Sequence, residues 1–126
     1  MSRAGRPRDR RIAEEGGRTA ETIAALWLIL HGWRVLARRY KSPVGEIDLI
    51  VRRGRVLAFI EVKARLTAEA AAEAVLPRQQ ERITRAARAF LQAHADLAAL
   101  DARFDVVLVT PMRLPVHLVN AWHILG

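Results

Sequence analysis

The stretch that decides the fold of this chain is GEIDLIVRRGRVLAFIEVKAR, residues 45–65. It predicts two β-strands, at about 46–52 and 56–63, because both segments are rich in β-branched and other apolar residues. Between them, Arg53 and Gly54 predict a two-residue turn, since glycine tolerates the backbone conformations that tight hairpin turns require. The two strands are therefore expected to form an antiparallel hairpin.

The predicted turn pairs Arg52 with Arg55 and settles what each face of the hairpin carries, because side chains alternate along a strand. One face is apolar throughout and is predicted to be core: Ile47, Leu49, Val51, Val56, Ala58, Ile60 and Val62. On the other face Asp48 is opposite Phe59 and is a diagonal neighbour of Glu61. A register slipped by one residue would move Asp48 into the core, so the apolar pattern favours this register.

The second face carries side chains that are suited to metal binding and catalysis. Asp48, Glu61 and Glu46 repel one another unless they are protonated or neutralised by a cation, and Mg²⁺ prefers such oxygen ligands. Lys63 shares this face and can orient a water or stabilise charge on a phosphate. The set is suited to metal-assisted phosphodiester hydrolysis. An amphipathic hairpin with a solvated polar face and ordinary ion pairs is the alternative.

Composition narrows the class of partner. The chain has 126 residues and a net charge of +8, from 21 Lys+Arg against 13 Asp+Glu. Most of the cations are arginines, whose planar donor groups suit phosphate, so a nucleic acid is the predicted partner rather than a membrane. The longest apolar run, residues 23–30, is too short to span a bilayer. The absence of cysteine excludes disulfides and thiol catalysis, and it fits a cytoplasmic protein.

The rest of the chain predicts a single α/β domain at residues 18–126, behind a flexible basic arm at residues 1–17. Besides the hairpin, the predicted elements are helices at about 19–31 and 78–95, a loop with a short helix at 64–77, and strands at about 34–40, 104–109 and 116–120. Thr19 can cap the first helix. This order of elements indicates a mixed β-sheet covered by helices.

Arginines recur where they can hold a phosphate backbone. On the second predicted helix four of them share one face: Arg78, Arg82, Arg85 and Arg88. An ordinary solvated face is the alternative. Arg65 has the strand parity of Lys63, so it can contact phosphate or form a plain salt bridge.

This arrangement resembles the PD-(D/E)xK nuclease superfamily, whose fold is the restriction-endonuclease-like α/β core. More closely, the chain resembles the YraN-like family of bacterial proteins, across roughly residues 17–122. The resembling segments are AETIAALWLILHGWRVLARRY, GEIDLI, FIEVKAR, RQQERI, RFDVVLV and HLVNAW. The resemblance implies an endonuclease that uses Mg²⁺ or Mn²⁺ and acts on DNA more readily than on RNA. It also implies structure-selective cutting, as in Holliday-junction-resolvase-like enzymes, and a homodimer.

The resemblance implies roles for individual residues as well. The metal ligands would be Asp48, Glu61, the backbone carbonyl of Val62, and Glu21 on the first helix. Lys63 would be the catalytic lysine, and Gln80 would assist substrate or water. The alternatives are a first-turn acid interacting with the helix dipole for Glu21, and a hydrogen bond within the core for Gln80.

The chain departs from the family's pattern at two positions, since the family often has asparagine near Arg39 and lysine near Gln79. Loss of that lysine weakens phosphate binding unless nearby arginines replace it. Two interpretations from other classes compete with the nuclease. A noncatalytic nucleic-acid-binding protein would keep its function without Asp48, and a protein-interaction module would bind neither metal nor DNA.

Overall fold

Five strands form one sheet in the order in which they occur along the chain. The computed structural model describes residues 7–66 and 77–122, with the side chains of residues 18–66 and 77–122. The elements are α1 (Pro7–Leu30), β1 (Arg34–Ser42), β2 (Gly45–Arg53), β3 (Val56–Ala64), α2 (Pro77–Ala93), a 3₁₀ turn (Ala95–Leu97), β4 (Asp101–Val109) and β5 (Val116–Trp122). Neighbouring strands are antiparallel except β3 and β4, which are parallel. The prediction of a mixed β-sheet flanked by helices is confirmed.

The two helices cover opposite faces of the sheet. The cluster under α1 includes Ala24, Ala25, Leu28, Leu49, Val51, Ala58, Ile60 and Val107. The cluster under α2 includes Ile47, Ile50, Leu57, Phe59, Ile83, Ala86, Ala87 and Phe90. Both faces of the hairpin are therefore core over most of their length, and its polar side chains are confined to one end. In the described parts of the chain, no helix is long and apolar enough to cross a membrane.

The hairpin turn lies one residue later than predicted, which shifts the register of the two strands by two residues. Arg53 pairs with Val56, so Gly54 and Arg55 form the turn. Gly54 has a φ of +61°, a left-handed conformation that glycine adopts without strain at the first position of such a turn. A shift of two residues preserves the alternation, so the predicted core face is correct except at Ile47, whereas the predicted pairs are wrong.

The new register changes the relation between the two carboxylates. The ladder between β2 and β3 ends at Leu49 and Ile60, and one further step places Asp48 directly opposite Glu61. Asp48 therefore faces Glu61 and not Phe59. Ile47, predicted for the face under α1, packs instead in the cluster under α2, together with its β1 partner Tyr40.

The start of the first helix also differs from the prediction. Helix α1 begins at Pro7 and continues through Thr19, so the predicted cap at Thr19 is wrong. Residues 7–18 are mostly strong helix formers behind a proline in the first turn, and they outweigh Gly16 and Gly17. Residues 1–6 and 67–76 lie outside the described residues, and so does most of the loop and short helix predicted at 64–77.

A buried aspartate ties the edge strand β5 to β4. Asp105 is fully buried and accepts hydrogen bonds from Arg103 Nε, His117 Nε2 and the Asn120 N–H. Burial alone would raise the pKa of Asp105, but these hydrogen bonds and the charge of Arg103 outweigh it and lower the pKa. They span the register shift in the β4–β5 ladder between Phe104 and Val106, so Asp105 has a structural explanation.

Candidate metal centre

The two predicted carboxylates meet where the β2–β3 ladder ends. The Val62 N–H donates a hydrogen bond of 2.8 Å to Asp48 Oδ2. The Asp48 carboxylate thus takes the place of a backbone carbonyl as the acceptor for this N–H. This bond fixes the orientation of the Asp48 carboxylate. Glu61 lies on the adjacent strand, and its side chain is 17% exposed. The sequence therefore folds two acids into neighbouring, largely buried positions.

Burial and proximity disturb the protonation of this pair. Burial, and then the charge of Asp48, raise the pKa of Glu61 to about 7. Burial also raises the pKa of Asp48, against the opposing hydrogen bonds from the Val62 N–H and Glu61. Carboxylates in such contact favour sharing a proton or binding a cation.

Lys63 lies on the same side as the two acids. Its Nζ is 3.4 Å from Glu61 Oε1 and donates a 3.3 Å hydrogen bond to Gln79 Oε1 on α2. The lysine is thus held between the strand and the helix, with its side chain only 12% exposed. Gln79 is a site residue that the sequence analysis assigned no role. The one feature of the sequence that pointed to Gln79 was the departure from the family's pattern at this position.

Glu21 reaches the site from α1. It is only 7% exposed, and its Oε2 is 3.3 Å from Arg39 Nε. Its Oε1 is buried without a hydrogen-bond partner among the described residues. Burial first, and then the charge of Asp48, raise the pKa of Glu21. Glu21 on α1 therefore interacts electrostatically with the carboxylate of Asp48 on β2.

Arg39, the partner of Glu21, has a φ of +51°, a conformation unfavourable for a residue other than glycine, asparagine or aspartate. It lies opposite Asp48 in the register of β1 and β2, between the pairs Arg38–Leu49 and Tyr40–Ile47. Both departures from the family's pattern, Arg39 and Gln79, therefore fall at this site.

A pocket of about 150 Å³ opens over the carboxylates, lined by Glu46, Asp48, Glu61, Gln79, Arg82 and Ile83. A neighbouring groove of about 510 Å³ shares Glu46 and Arg82 and adds Lys41 and Arg85. Cations therefore lie along one side of the pocket. The predicted arginine face of α2 is exposed at all four positions, although Arg85 also pairs with Glu81.

Two predicted site residues lie elsewhere or keep an open role. Arg65 lines a separate, mainly apolar pocket with Ile23 and Val109, and it is not among the residues that line the carboxylate pocket. Gln80 is half-buried one position after Gln79, and its predicted role stays a prediction.

The donor atoms at this site fit a hard divalent cation. Two adjoining carboxylates and the unpartnered Oε1 of Glu21 are oxygen donors, which Mg²⁺ and Mn²⁺ prefer. Within the part of the chain that the structure describes, no three histidine, cysteine or acidic side chains are already grouped to enclose an ion. A bound cation would therefore need the carboxylates to turn towards it.

The five-stranded mixed sheet with two helices is an α/β fold compatible with the restriction-endonuclease-like core. The model of the Uncharacterised protein family UPF0102 matches residues 20–109, so the chain belongs to this family. This is the YraN-like group to which the sequence motifs pointed.

Three relatives illustrate the family match. A UPF0102 protein of Parvibaculum lavamentivorans is 56% identical over 121 residues, covering 96% of this chain and 91% of the relative. One of Rhodopseudomonas palustris is 53% identical over 114 residues, covering 90% and 89%. One of Paramagnetospirillum magneticum is 47% identical over 128 residues, covering 98% and 99%. The similarity thus extends over nearly the whole of each protein.

Proposed function

We propose that the chain is a metal-dependent endonuclease that hydrolyses phosphodiester bonds in DNA. The observation that carries the proposal is the pair of Asp48 and Glu61, largely buried on neighbouring strands beneath an open pocket and beside Lys63. Holding two carboxylates together away from water is costly unless a proton or a cation offsets their repulsion. A solvated polar face would not require this arrangement.

Asp48 and Glu61 would hold a divalent cation, with Glu21 Oε1 and the carbonyl of Val62 as further candidate ligands. When bound, Mg²⁺ or Mn²⁺ supplies Lewis-acid activation of water and neutralises charge at the phosphate. The Val62 N–H keeps the Asp48 carboxylate in one orientation. This preorganisation lowers the cost of assembling the site.

The cationic side chains would act on the phosphodiester. Lys63 Nζ lies beside Glu61 and can orient the attacking water or stabilise the negative charge that develops on the phosphate. Gln79 fixes the position of that ammonium group. Arg82 lines the same pocket and can hold the phosphate in place.

Cleavage of labelled single-stranded, duplex and four-way-junction DNA tests the proposal. We expect cutting with Mg²⁺ or Mn²⁺ and none with EDTA. Asp48→Asn and Lys63→Ala should each reduce the rate by about 10²–10³-fold or more, since each removes a group that acts on the reacting centre. Asp101→Asn, which neutralises an exposed acid at the start of β4, is the matched control and should cut like the parent.

Cutting that survives in EDTA, or in the Asp48→Asn variant, would contradict the proposed site. Salt-sensitive DNA binding without cutting, unchanged by Asp48→Asn, would identify a noncatalytic nucleic-acid-binding protein. Calorimetric titration with Mg²⁺ separates these cases further, because the nuclease site predicts metal binding that Asp48→Asn abolishes.

A further inference from the structure

We propose that the free edge of the sheet at β1, together with the β2–β3 turn, is a second surface that binds a nucleic-acid backbone. The cations of this surface, the β1-edge track, are Arg34, Arg38, Lys41, Arg52, Arg53 and Arg55. The inference rests on the proposed nucleic-acid partner but not on cleavage. None of these residues belongs to the carboxylate pocket.

The track leads away from the candidate metal centre. Among the described residues, strand β1 pairs only with β2, so its other side is a free edge of the described sheet. Arg34, Arg38 and Lys41 are exposed along it and span about 23 Å at the usual rise per strand residue. Lys41 lines the groove that adjoins the carboxylate pocket, and Arg34 lies at the opposite end beside the hairpin turn.

Acids balance only part of the track's charge, since Glu46 is the cross-strand partner of Lys41 and the charge of Arg38 acts on Glu21. Arg34 and Arg52 are direct partners across β1 and β2, an arrangement in which like charges destabilise a sheet. Within the described residues, no cation of the track forms an ion pair, whereas Arg39 on β1 and Arg103 on β4 do. The fold therefore tolerates a concentration of positive charge that an anion would relieve.

Neutral groups hold the arginines at the turn. Arg52 Nε donates to Gly54 O at 3.0 Å, Arg53 Nη1 to His31 O at 3.0 Å, and Arg55 Nη2 to Ala99 O at 3.3 Å. The guanidinium of Arg53 also lies 4.5 Å from the centre of the Trp33 ring. These contacts restrict the side chains without cancelling their charge, and each guanidinium keeps donors for a phosphate.

Two structural explanations account for only part of this pattern. Charged residues on a free edge prevent aggregation, but the other free edge, β5, carries no lysine or arginine and exposes Val116 and Leu118. A general need to guard free edges would apply to both strands. Arg53 also caps the carbonyl end of α1, but this uses one of its five donors.

A nucleic acid fits the track better than an anionic membrane does. Leu26 and Leu30, two exposed apolar side chains of α1, are on the outer side of that helix, and the exposed Val44 lies at the Lys41 end of the track. Arg52 is two residues from the buried Ile50 and therefore lies on the same face of the sheet, the face that α2 covers. Its cross-strand partner Arg34 lies on that face as well. A flat bilayer cannot contact both sides of the sheet, whereas a rod-like duplex can follow one edge.

The test measures DNA affinity against salt concentration in EDTA, where metal-dependent cutting cannot occur. The variant is Arg34→Gln/Lys41→Gln, because neither side chain makes a hydrogen bond or ion pair that its loss would break among the described residues. The control is Arg18→Gln/Arg113→Gln, which removes the same charge at exposed positions away from the track. Circular dichroism and thermal unfolding verify that both variants fold.

Loss of two phosphate contacts should make the slope of log K against log salt about 1.8 less steep. Between 50 and 200 mM salt, the track variant should then lose about 12-fold less affinity than the parent, while the control keeps the parent's slope. Equal slopes in all three proteins would overturn the proposal. So would an unchanged DNA slope together with weaker binding to phosphatidylserine vesicles, which would assign the edge to a membrane.

The outcomes also separate this inference from the proposed nuclease. A reduced slope in a protein that never cuts DNA would support the track and reject the catalytic proposal. Metal-dependent cutting with an unchanged slope would do the opposite.

Discussion

The side chain of Glu61 is subject to two opposing influences. Burial and the neighbouring Asp48 favour its protonated form, whereas Lys63 favours the charged form. Because the first two prevail, the pKa of Glu61 rises from an ordinary 4.5 to about 7 in the folded protein. The folded chain then binds this proton more tightly than the unfolded chain does. The stability that Glu61 contributes is therefore fully present below its pKa in the unfolded chain and is lost as the pH rises through its pKa in the folded protein.

In EDTA, we expect the parent to lose on the order of 2–3 kcal/mol of unfolding free energy as the pH rises from about 4.5 to about 7. Glu61→Gln should flatten this dependence, leaving the smaller slope that Asp48 and Glu21 contribute through their own raised pKa values. Urea unfolding at several pH values measures the effect. Glu81→Gln, at an exposed position on α2, should retain the parent's profile.

If the unfolding free energy of Glu61→Gln and of the parent depended on pH in the same way, placing Glu61 beside Asp48 would have no electrostatic cost. Addition of Mg²⁺ should oppose the loss at neutral pH, because a cation that binds the folded state stabilises it by mass action. If Asp48 and Glu61 did not repel each other, Mg²⁺ would have no such repulsion to offset.

At the residue scale, alternation along the strands was enough to group the main candidate site residues. Glu61 and Lys63 are two residues apart on one strand, and the predicted hairpin pairing puts Asp48 on their face, so the sequence placed the three polar side chains together. Gln79 and Arg39 were given no role, because their contacts depend on tertiary packing. Gln79 meets Lys63 only once α2 lies on the sheet, and the positive φ of Arg39 has no signature in a single sequence.

At the scale of elements, the close approach of the β1–β2 turn to α2 aligns the two sides of the pocket. A Cβ atom at Gly45 would lie 2.5 Å from the backbone oxygen of Arg82, a separation that van der Waals repulsion forbids. Glycine is thus required here for space rather than for backbone freedom. The same segment of α2 provides Gln79 and Arg82 to the pocket, so the contact at Gly45 sets the distance between helix and carboxylates.

Gly45→Ala should therefore cost about 1–3 kcal/mol of unfolding free energy, as overpacking typically does, and should also lower the rate of DNA cleavage. Chemical denaturation and the cleavage assay measure the two effects. Gly54→Asn is the control: a Cβ atom there would meet no atom within 4 Å, and asparagine tolerates the φ of +61°. Parent-like stability of Gly45→Ala would mean that α2 can move outward without penalty.

The hairpin shows which properties of an element a sequence can predict. A register shift of two residues does not by itself move a side chain to the other face, so the apolar pattern could not distinguish the Arg53–Val56 pair from the predicted Arg52–Arg55 pair. Turn chemistry decided between them, since Gly54 takes the first turn position. The start of α1 was missed for a similar reason, because a plausible cap at Thr19 lies inside a longer run of helix formers.

At the scale of the whole molecule, the order of elements predicted the mixed sheet, but the distribution of charge required the structure. The net charge of +8 is not spread evenly. Exposed cations occupy the β1 edge and the outer face of α2, whereas the β5 edge has no lysine or arginine. The two basic surfaces meet at the groove that Lys41 shares with Arg82 and Arg85. A polyanion held by both would pass the carboxylate pocket.

This layout predicts different kinetic roles for two arginines of the α2 face. Arg82 lines the carboxylate pocket, whereas Arg88 lies about 9 Å further along the helix. Arg82→Gln should lower kcat and kcat/KM together by about 10-fold or more, because it removes a contact at the reacting phosphate. Arg88→Gln, the matched loss of one exposed charge, should raise KM several-fold and leave kcat unchanged. Steady-state cleavage of one duplex substrate measures both constants, and equal effects of the two substitutions on kcat would show that the α2 face binds DNA without orienting it at the pocket.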